Sequence, residues 1–186
     1  MRPVLRPLLS VLGVLGIAAA MTSGVPAAAL PPGFPSFDGF TAVAAENYFV
    51  VPEKGPRTIH FSTPYNVQCF FEAGAEPIPA WNGQDLHCMG DLPGTDKPVD
   101  GAGPAGECLV ATVGPASGGW GPDYGLGTTP YRCNAQFSSG TLLASGQKIS
   151  YRNVTCGVGA DRLLACLDTS SGEHGFVLRP AGSTAF

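Results

Sequence analysis

The stretch YRNVTCGVGADRLLACLD, residues 151–168, decides the fold. Two short runs rich in aliphatic and β-branched side chains, 148–156 and 163–167, flank Gly157-Val158-Gly159-Ala160-Asp161, whose glycines and aspartate favour a chain reversal. Cys156 and Cys166 sit on either side of that reversal. A hairpin through it sets the two sulfurs opposite one another, near the roughly 5.5–6 Å Cα separation common for a disulfide.

The same signature occurs earlier in the chain. Asn153-Val154-Thr155-Cys156 followed by Leu164-Ala165-Cys166 echoes Asn66-Val67-Gln68-Cys69 followed by Leu86-His87-Cys88. By analogy Cys69 pairs with Cys88, which leaves Cys108 with Cys133. Six cysteines allow fifteen connectivities, and the sequential one is the expectation. Each bridge contributes about 2–4 kcal/mol, more for longer loops in the chain-entropy model.

Around these hairpins lie further short runs at 48–51, 58–61, 67–71, 86–89, 108–113, 131–137, 142–144 and 176–178, separated by Thr63-Pro64, Ser145-Gly146 and Ser171-Gly172. Short strands with frequent turn residues, and no ten-residue helical pattern alternating with them, predict an all-β fold. The expected form is an antiparallel sandwich or small barrel of short strands, stapled by disulfides. Residues 30–37, LPPGFPSF, cannot propagate a helix or central strand and read as a linker. Ala42, Ala44 and Ala45 behind Asp38 allow at most one short helix near the mature N-terminus. The expected organisation is a signal peptide at 1–29, a Pro-rich linker with that possible helix at 30–45, and a single disulfide-bonded domain at 46–186.

The leader reading rests on Arg2 and Arg6, an apolar run from Leu8 to Ala20, and Ala27, Ala28 and Ala29 before the folded part. The run is too short, and too broken by Gly13 and Gly16, for a comfortable membrane anchor, which needs about 20 apolar residues. Six cysteines behind such a leader read as disulfides formed outside the cytosol. The expectation is a secreted protein, extracellular or cell-wall associated, without a membrane span after cleavage. The chain carries 10 Lys and Arg against 14 Asp and Glu, and losing Arg2 and Arg6 makes it more acidic. No basic cluster is present, so nucleic acid is not an expected partner. With 26 Gly and 18 Pro the composition approaches that of disordered chains, but plentiful apolar and few charged residues favour a turn-rich β protein.

No set of residues assembles into a catalytic motif. Gly101-Ala102-Gly103-Pro104-Ala105-Gly106 fits G-x-G-x-x-G, but lacks the strand before it and the helix after it that dinucleotide phosphates need. No cofactor is expected. A metal site is not expected either: there is no C-x-x-C, His87 faces away from neighbouring Cys88 on a strand, and Asp91, Asp96 and Asp100 lack calcium-loop spacing. Asp168, Ser170, Ser171, Glu173 and His174 supply hydrolase residue types within one loop, yet no G-x-S-x-G elbow exists, and the segment reads as a polar hairpin turn. Trp120 and Tyr124, among the glycines of 114–129, offer a possible binding surface on a tethered loop, or rings that fold back onto the core.

From Phe61 onward the pattern resembles a family of small exported six-cysteine proteins of unknown function from mycobacteria and related actinobacteria. Phe61-Ser62-Thr63-Pro64 with Asn66 and Cys69, the spaced Cys88, Cys108, Cys133, Cys156 and Cys166, and the ending Gly172-Glu173-His174-Gly175-Phe176 carry it. That family often closes on G-H-G-F, so Glu173 is a small departure. The resemblance implies export, disulfides and a mostly β fold, and brings no catalytic residues. The leading expectation is therefore a binding or interaction module at the cell envelope or outside it, and not an enzyme. The alternatives are a secreted hydrolase using His174 with Asp168 or Glu173 and a nearby serine, and a purely structural envelope protein.

Overall fold

The computed structural model describes residues 30–74, 84–95, 107–116 and 123–186. The strands are β1 (Thr41–Val43), β2 (Phe49–Val50), β3 (Thr58–Ser62), β4 (Val67–Glu72), β5 (His87–Gly90), β6 (Glu107–Pro115) and β7 (Tyr124–Arg132) in the first part of the chain. The second part adds β8 (Thr141–Leu142), β9 (Gln147–Tyr151), β10 (Val154–Val158), β11 (Leu164–Asp168), β12 (His174–Leu178) and β13 (Thr184–Ala185). They form two sheets, β1-β9-β10-β11-β12-β13 and β2-β3-β4-β5-β6-β7, with β8 beside β3. Pairing is antiparallel except for β1 on β9 and β8 on β3, which are parallel. The all-β, disulfide-stapled expectation holds, as an open sandwich and not a closed barrel. Among the described residues no helix is long and apolar enough to cross a membrane.

Alternation within each strand explains the core. Val67, Cys69 and Phe71 of β4 point inward while Gln68, Phe70 and Glu72 do not. Phe61, Ile59 and Phe71 from one sheet meet Ile149, Leu164, Phe176 and Leu178 from the other, all fully buried. Each such side chain contributes about 1.5–3 kcal/mol by leaving water.

The disulfides are Cys69–Cys88, Cys108–Cys133 and Cys156–Cys166. Cys69 and Cys88 are direct partners on β4 and β5, as are Cys156 and Cys166 on β10 and β11. Thr169 N–H donates to Asn153 O, which by alternation makes Cys156/Cys166 a non-hydrogen-bonded pair. Such pairs bring the backbones closer, so the Cα atoms of each core bridge stand 4.1 Å apart, less than the spacing expected from the sequence.

Three expectations change. The run 148–156 is two strands, because Arg152 at φ 56° turns the chain between Tyr151 and Val154. The possible helix over 38–49 is a 3-10 turn at Ala45–Tyr48, and the residues before it pair as β1, since Thr41 and Val43 suit a strand. Residues 30–37 are not a free linker. Phe37 lies over Gly157, where an added Cβ would stand 2.6 Å from the ring, and Lys148 Nζ donates to Phe37 O at 2.9 Å. The leader at 1–29 lies outside the described residues.

Candidate binding cleft

β6 is nine residues long, but β5 pairs only with Ala111, Thr112 and Val113. The chain leaves β5 at Gly90, where Leu92 N–H turns back to Gly90 O and Asp91 N–H donates to Asn66 O. The first half of β6 therefore extends beyond its neighbour, and a cleft of about 400 Å³ opens beside it. That volume lies within the range of ligand sites, about 300–1,000 Å³.

Cys108, Leu109, Val110 and Ala111 of β6 line the cleft. One wall is the loop 91–95. It is held to connections of the β9–β13 sheet by Ser183 Oγ donating to Pro93 O and by Arg162 Nη2 donating to Asp91 O at 2.9 Å. Gly94, at φ +65°, passes so close to Arg179 that an added Cβ would lie 2.1 Å from its carbonyl oxygen. The other wall is 134–137, tied to β6 by the Cys108–Cys133 bridge and anchored by buried Ala135 and Phe137. Phe137 packs on Tyr131 with ring centroids 5.4 Å apart.

Asn66 joins the two walls. At φ 59°, it donates from Nδ2 to Asp91 Oδ2 at 3.0 Å and to Ala135 O at 3.4 Å, and accepts from Phe137 N–H at 2.7 Å. The cleft is thus fixed by one fully used amide and one disulfide. Arg132 and Arg162 line it, and among the described lining residues Asp91 is the one carboxylate.

Of the residues singled out in sequence, Asp91 and Cys108 line the cleft. Trp120, the glycines 101–106, Asp96 and Asp100 lie outside the described residues. Tyr124 is not on a loop surface: it opens β7, and its ring is buried against Phe176 at 6.1 Å. Its hydroxyl donates to Asp168 Oδ2 at 3.1 Å. Burial, then the neighbouring Asp168 charge, pushes the phenol far above the usual tyrosine range.

Asp168 is buried, and its Oδ1 accepts from Ser170 N–H at 2.9 Å and Ser170 Oγ at 2.7 Å. His174 is its direct partner across β11 and β12, yet the ring's only ion-pair neighbour among the described residues is Asp123, 3.8 Å from Nδ1. No hydrogen bond joins His174 to Asp168, Glu173 or a serine among the described residues, so the hydrolase set does not assemble there.

His60 and His87 flank Phe70 across three strands on the outer face, with centroids 5.5 and 5.3 Å from it. Burial lowers the His60 pKa. Asp85 Oδ1 stands 2.8 Å from His87 Nε2, and that hydrogen bond holds the carboxyl below its ordinary value against partial burial. His87 leans over Gly114, where an added Cβ would lie 2.3 Å from Nδ1. Among the described residues no cluster of three His, Cys, Asp or Glu could hold a metal.

Sequence reasoning missed Leu109, Arg132 and Arg162 as site residues because the site's parts lie far apart in the chain. The usable signal was the Cys108–Cys133 pairing, which already places 134–137 beside β6. No family model matches this sequence, and no curated protein or solved structure matches it.

Proposed function

We propose that this chain is an exported, disulfide-stabilised binding domain working at the cell envelope or in the extracellular space, with its ligand held in the cleft beside β6. The observation that carries the reading is a preformed cavity of mixed polar and apolar lining whose walls are pinned by Asn66 and a disulfide. The leader-like residues 1–29, the absence of free cysteines and the resemblance to exported six-cysteine proteins support an oxidising location.

The test is a thermal-shift screen of soluble envelope fractions against the oxidised protein and against Leu109→Trp, which puts an indole in the cleft. A fraction that raises the melting temperature of the natural protein by several degrees and leaves Leu109→Trp unmoved supports the reading. Equal shifts in both proteins, or no shift from any fraction, refute it.

A further inference from the structure

We infer that Cys108–Cys133 is a thiol-exchange site, opened by an external dithiol, and that opening it loosens the 134–137 wall of the cleft; its bearing on a ligand rests on the binding reading above. The three bridges differ in where they sit. Cys69, Cys88, Cys156 and Cys166 each expose 1% or less and belong to the core cluster between the sheets. Cys108 and Cys133 stand outside that cluster, and Cys133 is exposed. Strand alternation explains the difference. Ala111 and Val113 of β6 are in the core, and Cys108, an odd number of residues from both, lies on the opposite face of the strand. Cys133 follows the end of β7, in the turn that Asn134 makes at φ 56°. A thiolate has to meet a disulfide sulfur to displace its partner, and exposed bridges are the labile ones. At the two core bridges that meeting requires the sheets to part, whereas Cys133 is already at the surface.

The incoming thiolate attacks Cys133 Sγ, forming a mixed disulfide, and the Cys108 sulfur leaves as a thiolate that takes up a proton. The second thiol of the reductant then attacks the reductant's own sulfur in the mixed disulfide and releases the Cys133 thiolate, which is protonated in turn. Two electrons and two protons pass to the bridge, and the dithiol ends as a disulfide. The wall feels the change because it is fixed at two points. At one end the bridge ties Cys133 to β6. At the other, Asn66 accepts from Phe137 N–H at 2.7 Å and donates to Ala135 O at 3.4 Å. With the bridge open, the wall hangs between the Asn66 bonds and the last pair of the β6–β7 ladder, Glu107/Arg132, and strand ends fray. The rest of the sandwich keeps both of its core bridges.

The experiment treats the folded, oxidised full chain with dithiothreitol in the absence of denaturant, traps thiols with iodoacetamide at intervals and maps them by mass spectrometry. Cys108 and Cys133 should be alkylated together, at least about tenfold faster than any core cysteine. Hydrogen exchange by NMR on the protein trapped at that stage reads the wall. The Phe137 amide should exchange at least about tenfold faster than in the oxidised protein, while the amides of β10 and β11 keep their rates. The trapped protein is made from folded material, so no refolding enters the result. The double variant Cys108→Ser/Cys133→Ser, which carries no alkyl groups, should show the same fast Phe137 exchange. Reduction of all three bridges at one rate, or of a core bridge first, overturns the inference. So does a Phe137 amide protected equally in the oxidised and trapped proteins. If no envelope fraction stabilises the oxidised protein, the binding reading falls alone, and the inference is still decided by the alkylation order and the Phe137 exchange. If a fraction stabilises the oxidised and trapped proteins equally, the binding reading stands and redox control of the cleft falls.

Discussion

Replacing Gln84 by leucine should cost about 2–5 kcal/mol, and the estimate follows from three hydrogen bonds. Gln84 is fully buried. Its Nε2 donates to Glu72 O at 2.7 Å, and its Oε1 accepts from Asn153 N–H at 2.8 Å and Val154 N–H at 3.2 Å. One amide therefore joins the end of β4 to the start of β10 in the opposite sheet. Leucine has similar bulk but strands the Glu72 carbonyl and the Asn153 N–H, at about 1–3 kcal/mol for each buried group left unpaired, while Val154 N–H keeps its partner across the Tyr151–Val154 turn. Removing the buried amide and adding apolar volume offsets part of that total. In a chain of this length the loss lowers the melting temperature by roughly 4–20 °C. Thermal and urea unfolding under non-reducing conditions measure it. A Gln84→Leu protein within 0.5 kcal/mol of the natural one, on the order of a neutral surface change, would show that water or backbone relaxation satisfies these groups and would refute the reasoning.

Two further outcomes are expected. Tyr124→Phe removes a donor from buried Asp168 and should cost about 1.5–3 kcal/mol at neutral pH, measured by urea unfolding. Because the folded phenol titrates above its unfolded value near 10.0, the neutral ring's contribution is complete below that pH and declines above it. The natural protein should lose stability above about pH 10 more steeply than Tyr124→Phe, and parallel alkaline curves would count against a buried neutral phenol. Among the bridges, loop separations of 19, 25 and 10 residues give about 3.2, about 3.5 and about 2.7 kcal/mol from chain entropy. Alanine pairs at the two core bridges also leave cavities, whereas Cys133 is exposed. Loss of Cys108–Cys133 should therefore be the mildest despite its longest loop, and a calorimetric order following loop length alone would contradict this.

What the sequence disclosed was whatever local alternation and cysteine spacing encode. The strand 67–72 is legible because inward and outward residues alternate without interruption, and the hairpin around Gly157–Asp161 because turn residues separate two apolar runs that each carry a cysteine. The segment Tyr124–Arg132 is not, since YGLGTTPYR carries two glycines and a proline and reads as a loop by propensity. It is a strand because β6 supplies a complete ladder, and because Gly125 lies close to Ala116, where an added Cβ would sit 3.2 Å away. Burial of Tyr124 follows from that pairing and from Asp168, 44 residues away, so no local pattern announces it. The cleft is hidden for the same reason: Asn66, Leu109, Arg132 and Arg162 meet only once β5 has stopped short of β6.

The echo between the two N-V-x-C segments acquires a physical meaning in the topology. In each sheet the cysteine hairpin occupies the same place, β4–β5 in one and β10–β11 in the other, third and fourth along the order. The short strands that precede the halves are exchanged. β1 comes before the first hairpin but lies parallel on β9, while β8 comes before the second and lies parallel on β3. Neither sheet can be completed without a strand from the other half, and Gln84 adds a further link between them. The halves also differ where the echo breaks. Cys69 is followed by Phe70, whose ring stands between His60 and His87 on the outer face, whereas Cys156 is followed by Gly157. At Gly157 the ring comes from elsewhere, as Phe37 of the N-terminal segment occupies the space a side chain would take. A glycine after Cys156 is thus the condition for residues 30–40 to dock, and this is why a segment rich in proline forms part of the folded body.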